Sequence, residues 1–227
     1  MQELNTYIDH TLLRPEATQD QIKILCEEVI KYNFRSACVS SYWTPEVFRH
    51  LQNTKSLIAT TIGFPHGNCS LVSKVLEIDE AIVDGADELD VVLNIGNVKS
   101  KKWNEVEEEI SEVAKHAQDK TIKYIIEVGH LDDFETYKIC DILIKSGINY
   151  VKTCTGYGPR SVTVDDIKKL YDIIKNTHMK IKASGGIKDK SFALELIGAG
   201  ASIIGCSKSV SILTETTNAK AVNMAGC

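Results

Sequence analysis

The sequence predicts an α/β fold, a single (β/α)8 or TIM barrel with a short N-terminal extension. Two observations carry this. Short β-rich runs alternate with longer amphipathic segments from end to end, the pattern of βαβ units around a parallel sheet. The runs number eight, and 227 residues is about the length at which such a barrel forms one core, here over 1–227.

The candidate strands are residues 7–10, 36–40, 57–62, 88–94, 123–127, 150–153, 180–183 and 202–206. Between them, Ile22, Leu25 and Val29 share a helix face, as do Val75, Ile78 and Ile82, then Val106, Ile110, Val113 and Ala117. Thr18 with Gln21 and Thr163 with Asp166 have the spacing of capping boxes that start two helices, Asp replacing Glu in the second. The acidic run 105–109 reads as a solvated helix face whose charge complements the helix dipole. A weak repeat supports the architecture: Gly85-Ala-Asp-Glu-Leu-Asp90, Gly147-Ile-Asn-Tyr-Val-Lys152 and Gly200-Ala-Ser-Ile-Ile-Gly205. Each glycine suits the left-handed turn that closes a helix, and the residue five places on falls near the end of the next strand. Strand ends are where barrel enzymes place their chemistry.

Composition excludes several classes. The apolar fraction of 43% and charged fraction of 25% are those of a globular protein. The start, MQELNTYIDHTLL, has no basic segment followed by an apolar run, and no 18-residue apolar stretch occurs, so neither export nor a membrane partner is expected. Seven cysteines without a C-x-x-C pair fit reduced, buried thiols and a cytoplasmic setting better than a disulfide framework or a metal site. The net charge of -5 and scattered basic residues argue against a nucleic-acid partner.

Charged residues stand where strands should be apolar. In 88–94, Asp90, Val92 and Asn94 face one way and Leu89, Val91 and Leu93 the other. Lys152 and Lys182 lie near the ends of two further strands. One such lysine could simply snorkel to water; two together with Asp90 suggest a site. Lys180 shares the face of Lys182 but lies further from the strand end and from Gly185-Gly186. An amine attacks a carbonyl only when neutral, and an unperturbed lysine is only roughly 0.04% neutral at pH 7. A second ammonium about 5 Å away contributes about 3 kcal/mol against protonation at an effective dielectric of about 20. Asp90 can then shuttle protons or bridge the lysines.

Two glycine-bearing turns follow the last two strands, Ser184-Gly185-Gly186 and Gly205-Cys206-Ser207-Lys208, and Gly156-Tyr157-Gly158 follows Lys152. Barrels often bind phosphate at the loops after strands seven and eight, where glycine allows close backbone approach. Gly156, Gly185, Gly186, Gly205, Ser207 and Lys208 are therefore the candidate phosphate-binding residues.

Five segments, in order along nearly the whole chain, resemble the signatures of the deoxyribose-phosphate aldolase family: Ile8-Asp9-His10-Thr11-Leu12-Leu13, Ile62-Gly63-Phe64-Pro65-His66-Gly67, Asp84-Gly85-Ala86-Asp87-Glu88-Leu89-Asp90, Val151-Lys152-Thr153-Cys154-Thr155-Gly156 and Lys182-Ala183-Ser184-Gly185-Gly186-Ile187. The resemblance implies reversible cleavage of 2-deoxy-D-ribose 5-phosphate to D-glyceraldehyde 3-phosphate and acetaldehyde, without metal or other cofactor. It places the Schiff-base lysine at Lys152, the second lysine at Lys182 and the proton-relay carboxylate at Asp90, and it implies a homodimer. The chain departs from the family at three places. Lys208 puts a cation where the last strand's loop usually carries a hydroxyl, and Ser40-Ser41 replace a loop commonly holding Asn-Pro or Tyr-Pro. Some relatives end in a tyrosine thought to reach the site, whereas no tyrosine follows Tyr171 here, which implies proton transfer at the enamine carbon by another group or water. Two alternatives suit the same residues: another Schiff-base aldolase or transaldolase, and a non-catalytic phosphosugar-binding barrel.

Overall fold

The computed structural model describes residues 3–214. A 3-10 turn, Leu4–Tyr7, leads into eight parallel strands: β1 (Ile8–Leu12), β2 (Ser36–Ser40), β3 (Leu57–Ile62), β4 (Glu88–Val92), β5 (Thr121–Ile125), β6 (Tyr150–Lys152), β7 (Lys180–Ser184) and β8 (Ile203–Cys206). Each pairs with its sequence neighbour, and Ile8↔Ile204 and Asp9↔Gly205 close β1 on β8, completing the barrel in the order predicted. The helices outside are α1 (Gln19–Tyr32), α2 (Thr44–Leu51), α3 (Leu71–Val83), α4 (Ile95–Lys99), α5 (Trp103–His116), α6 (Asp133–Lys145), α7 (Val164–Ile174), α8 (Lys190–Gly198) and α9 (Ser209–Thr214). The expectation that no tyrosine near the chain end reaches the site extends into residues 215–227, which lie outside the described residues.

The helices form where their apolar stripes meet the sheet. Ile22, Leu25 and Val29 of α1 and Val106, Ile110, Val113 and Ala117 along α5 are buried. Each large one contributes about 1.5–3 kcal/mol relative to exposure. Both predicted capping boxes are present, at Thr18/Gln21 and Thr163/Asp166, and a third, Asp132/Glu135, starts α6. Two expectations are corrected. Asn94 is no strand residue: its side chain accepts from the Asn97 amide at 3.3 Å and caps α4, so β4 stops at Val92. Nor is the run 105–109 uniformly solvated. Glu109 is buried and pairs with Lys74 of α3 at 2.8 Å, because the helical period turns that position, like Val106, inward towards the sheet.

Candidate active site

Side chains alternate across a strand, so every second residue of each strand enters the barrel. In this barrel those positions carry charge. From the bottom upward, Arg35, just before β2, pairs with Asp9 of β1 at 2.7 Å and with Glu88 at the start of β4. Lys123 of β5 bridges Glu88 at 2.6 Å and Asp90 of β4 at 2.9 Å. Lys182 of β7 bridges Asp9 at 2.5 Å and Asp90 Oδ2 at 2.7 Å. Lys152, the last residue of β6, donates to the same Asp90 Oδ2 at 2.7 Å. The two lysine nitrogens thus share one acceptor oxygen and lie at most twice that distance apart. The three residues predicted from the sequence form one cluster, and Lys180 is exposed at the other end of β7.

Four members of the cluster were not singled out from the sequence: Asp9, Arg35, Glu88 and Lys123. Lys123 was hidden by a boundary. With β5 expected at 123–127 it looks like a strand entrance, whereas with β5 at Thr121–Ile125 it is mid-strand between buried Ile122 and Tyr124. Asp9 carried a readable signal, an acid directly after Ile8 in a short strand.

The network fixes the charge states. Burial opposes ionisation of Asp90, but Lys123, Lys152 and Lys182 outweigh it and hold the carboxyl well below its ordinary range. Asp9 is held down in the same way by Lys182, Lys123 and Arg35 against its burial. Burial likewise disfavours the Lys182 ammonium, yet Asp9 and Asp90 raise its pKa well above the usual lysine value. The sequence argument treated Lys182 as a bare positive neighbour of Lys152; the structure sets the Asp90 anion between them. Cys38, whose Sγ lies 3.9 Å from Asp90 Oδ2, stays a thiol because burial pushes its pKa up.

Stability should follow these carboxyls. Their folded-state pKa values lie below the unfolded value of about 3.9, so the stabilisation is present above that pH and lost as pH falls through the folded values. The urea midpoint is expected to drop steeply below about pH 4 as these carboxyls take up protons. A midpoint unchanged at pH 3 would contradict the charge assignment.

Above the cluster, at the C-terminal ends of the strands, a cavity of about 620 Å³ opens. Lys152, Gly156, Gly185, Gly186, Gly205, Ser207 and Lys208 line it, so all six candidate phosphate residues share one cavity with the predicted nucleophile. Asp90, Lys123 and Lys182 lie beneath; among the cluster's charges in the described residues, Lys152 is the one that lines the cavity. Gly186 has φ +80°, and a Cβ there would overlap the Ser161 hydroxyl. Gly205 serves the cluster as well as the loop: a Cβ would stand 3.0 Å from Cε of Lys182 and crowd the stem that holds the ammonium in place. Among the described residues, no group of three or more His, Cys, Asp or Glu side chains is arranged to hold a metal ion.

A closed parallel barrel with a buried lysine-carboxylate network beneath an open cavity at the C-terminal strand ends has the architecture of a (β/α)8 barrel enzyme. Comparison with known proteins narrows the class. The chain belongs to the DeoC/LacD family of aldolases, whose family model matches residues 4–205. It is 44% identical to the deoxyribose-phosphate aldolase of Finegoldia magna over 93% of this chain and 99% of that protein. In structure it is similar to a putative deoxyribose-phosphate aldolase from Coccidioides immitis (TM-score 0.91, 32% identity, 92% of this chain and 84% of that one). It is similar too to the tetrameric deoxyribose phosphate aldolase of Aeropyrum pernix (TM-score 0.86, 32% identity, 92% and 89%).

Proposed function

We propose that the protein catalyses the reversible aldol cleavage of 2-deoxy-D-ribose 5-phosphate to D-glyceraldehyde 3-phosphate and acetaldehyde, with Lys152 as the Schiff-base nucleophile. The observation that carries the reading is the position of Lys152, part of the buried charge cluster and lining the cavity. Charge balance supports it. The cluster holds three carboxylates, Asp9, Glu88 and Asp90, against four cations, Arg35, Lys123, Lys152 and Lys182. Three cations suffice for neutrality, and a buried cluster is most stable when neutral. Lys152 is the one of these four cations that lines the cavity, so its amine is the one placed to meet the aldehyde carbon.

The steps follow from these groups. The Lys152 amine adds to C1, and loss of water gives the iminium. Removal of the C3 hydroxyl proton breaks the C2–C3 bond, its electron pair flowing into the iminium to form the enamine as glyceraldehyde 3-phosphate leaves. A proton returns to C2, and water releases acetaldehyde and the amine. Asp90 and Lys182 pass protons at the Lys152 nitrogen. In the neutral carbinolamine Asp90 faces one cation fewer and becomes a better acceptor when one is needed.

The glycine turns after β7 and β8 hold the phosphate through backbone amides, with Ser207 and Lys208 beside them. Replacing Lys208 by serine is expected to raise KM for the sugar phosphate roughly five- to tenfold and to weaken its salt dependence, with kcat little changed. A KM indifferent to the substitution would place the phosphate elsewhere. The reading extends to a cytoplasmic protein of one domain, without nucleic-acid or membrane partners, that pairs with a second copy of itself through an exterior helix face. No helix among the described residues is long and apolar enough to cross a membrane. Borohydride reduction in the presence of acetaldehyde, followed by peptide mass mapping, tests the function directly. A stable two-carbon adduct is expected on Lys152, whereas a protein that binds the sugar phosphate but yields no lysine adduct would be a binding barrel.

A further inference from the structure

The proposed chemistry leaves one buried carboxyl without a role. Glu127, two residues beyond β5, is 4% exposed and adopts φ 50°, ψ 66°, the left-handed region that a non-glycine residue enters at a cost. Its Oε2 accepts from the Thr155 amide at 3.0 Å and from the Thr155 hydroxyl at 2.5 Å. That hydroxyl in turn accepts from the Tyr157 amide at 3.0 Å. Gly158 completes the fit, because a Cβ there would overlap the Glu127 carboxyl. A single carboxyl oxygen thus fixes the amides on both sides of Gly156, one directly and one through a hydroxyl.

The amide between them is left uncommitted. Gly156 has φ +91° and lines the cavity, and among the described residues no protein acceptor takes its N–H. Its nitrogen lies 3.8 Å from where a Cβ of Gly185 would stand, so the turn after Lys152 abuts the glycine turn after β7. Two further bonds hold it there. The Val162 amide donates to the Gly185 carbonyl at 3.1 Å, and the Tyr157 hydroxyl donates to the Leu13 carbonyl, on the loop after β1, at 3.1 Å. The turn is therefore joined to the loops around the glycine-rich end of the cavity. Lys152 is held separately, by the sheet: its carbonyl accepts from the Ile126 amide at 3.0 Å, and the Thr153 amide donates to the Lys182 carbonyl at 3.1 Å.

We propose that Glu127, acting through Thr155, is a positioning residue for the substrate phosphate: it holds residues 155–158 so that the Gly156 amide is offered as a donor beside the glycine turns after β7 and β8. The proposal rests on the function and the phosphate site proposed above. Glu127 itself touches neither the phosphate nor the reacting carbons. Its effect is confined to the phosphate end, because the bonds that place Lys152 do not run through it.

The test compares cleavage of 2-deoxy-D-ribose 5-phosphate with that of 2-deoxy-D-ribose, which lacks the phosphate, in the wild-type protein and in Glu127→Ala, Glu127→Gln and Thr155→Val. For Glu127→Ala, KM for the phosphorylated sugar is expected to rise about 10-fold or more, the scale of one lost hydrogen bond to a charged group, with its kcat and the kcat/KM for the free sugar close to wild type. Glu127→Gln, which keeps an acceptor oxygen, should restore KM. Thr155→Val removes the hydroxyl that links Glu127 to the Tyr157 amide; it should raise KM in the same direction, and it carries the test should Glu127→Ala fail to fold. An unchanged KM for the phosphorylated sugar overturns the proposal. So does an equal loss of kcat/KM on both sugars, which is what general destabilisation or a displaced Lys152 would produce. Failure of the underlying readings is distinguishable in the wild-type protein, which would then cleave neither sugar, or would cleave both with the same kcat/KM if the phosphate site were misplaced.

Discussion

Replacing Lys152 by methionine is expected to abolish aldol cleavage, with a loss of roughly 10⁴-fold or more in kcat, the scale on which a covalent nucleophile is lost. The same substitution is expected to leave the fold close to wild-type stability. Methionine keeps most of the buried stem, and the remaining Arg35, Lys123 and Lys182 match Asp9, Glu88 and Asp90 charge for charge. Thermal unfolding beside single-turnover kinetics checks both halves. A variant that still forms a borohydride-stable adduct at another lysine would move the nucleophile, and one that unfolds would show Lys152 to be a needed counter-ion.

Lys182→Leu should cost stability as well as turnover. It removes the cation that bridges Asp9 at 2.5 Å and Asp90 at 2.7 Å, deep in the barrel where neither carboxylate reaches water. Breaking a buried pair by deleting one partner costs about 3–5 kcal/mol, so a clear fall in Tm is expected. Three cations then face three carboxylates only if Lys152 stays charged. The pH needed for Schiff-base formation should therefore move upward, and turnover at pH 7 should fall by about 10²-fold or more. Folded variant with an unshifted pH profile for adduct formation would remove Lys182 from any role at the Lys152 amine. The contrast between the two variants is sharper than either alone: one loses chemistry and keeps stability, the other loses both.

Much of the site was legible in the chain. Asp90, Lys152 and Lys182 stood out because a charge in a short β-rich run has no place in an ordinary core, and the structure brings them to a single carboxylate oxygen. The glycine turns were legible because their positive φ values at Gly185 and Gly186 belong to a residue without a side chain. Lys123 was not, since it hinged on two residues of strand boundary, the least certain feature of a pattern reading. Arg35 lies outside any strand and gives no periodic signal. Glu109 was misread for a related reason. Surrounded by acids, it reads as surface until α5 is set against the sheet and its inward face meets Lys74.

Local order accounts for what the sequence determined by itself: eight alternating units, their helix starts, the glycine punctuation and the three strand positions where charge replaces apolar bulk. Those features depend on residues a few places apart, and neighbouring residues are what a linear pattern records. Only the tertiary structure decided the charge balance, because Asp9 and Lys182 meet across 173 residues of chain once β1 has closed on β8. Closure points the inner faces of all eight strands at one axis, and it is there, in a space with little water, that four cations meet three carboxylates and that Lys152 comes to the floor of the cavity.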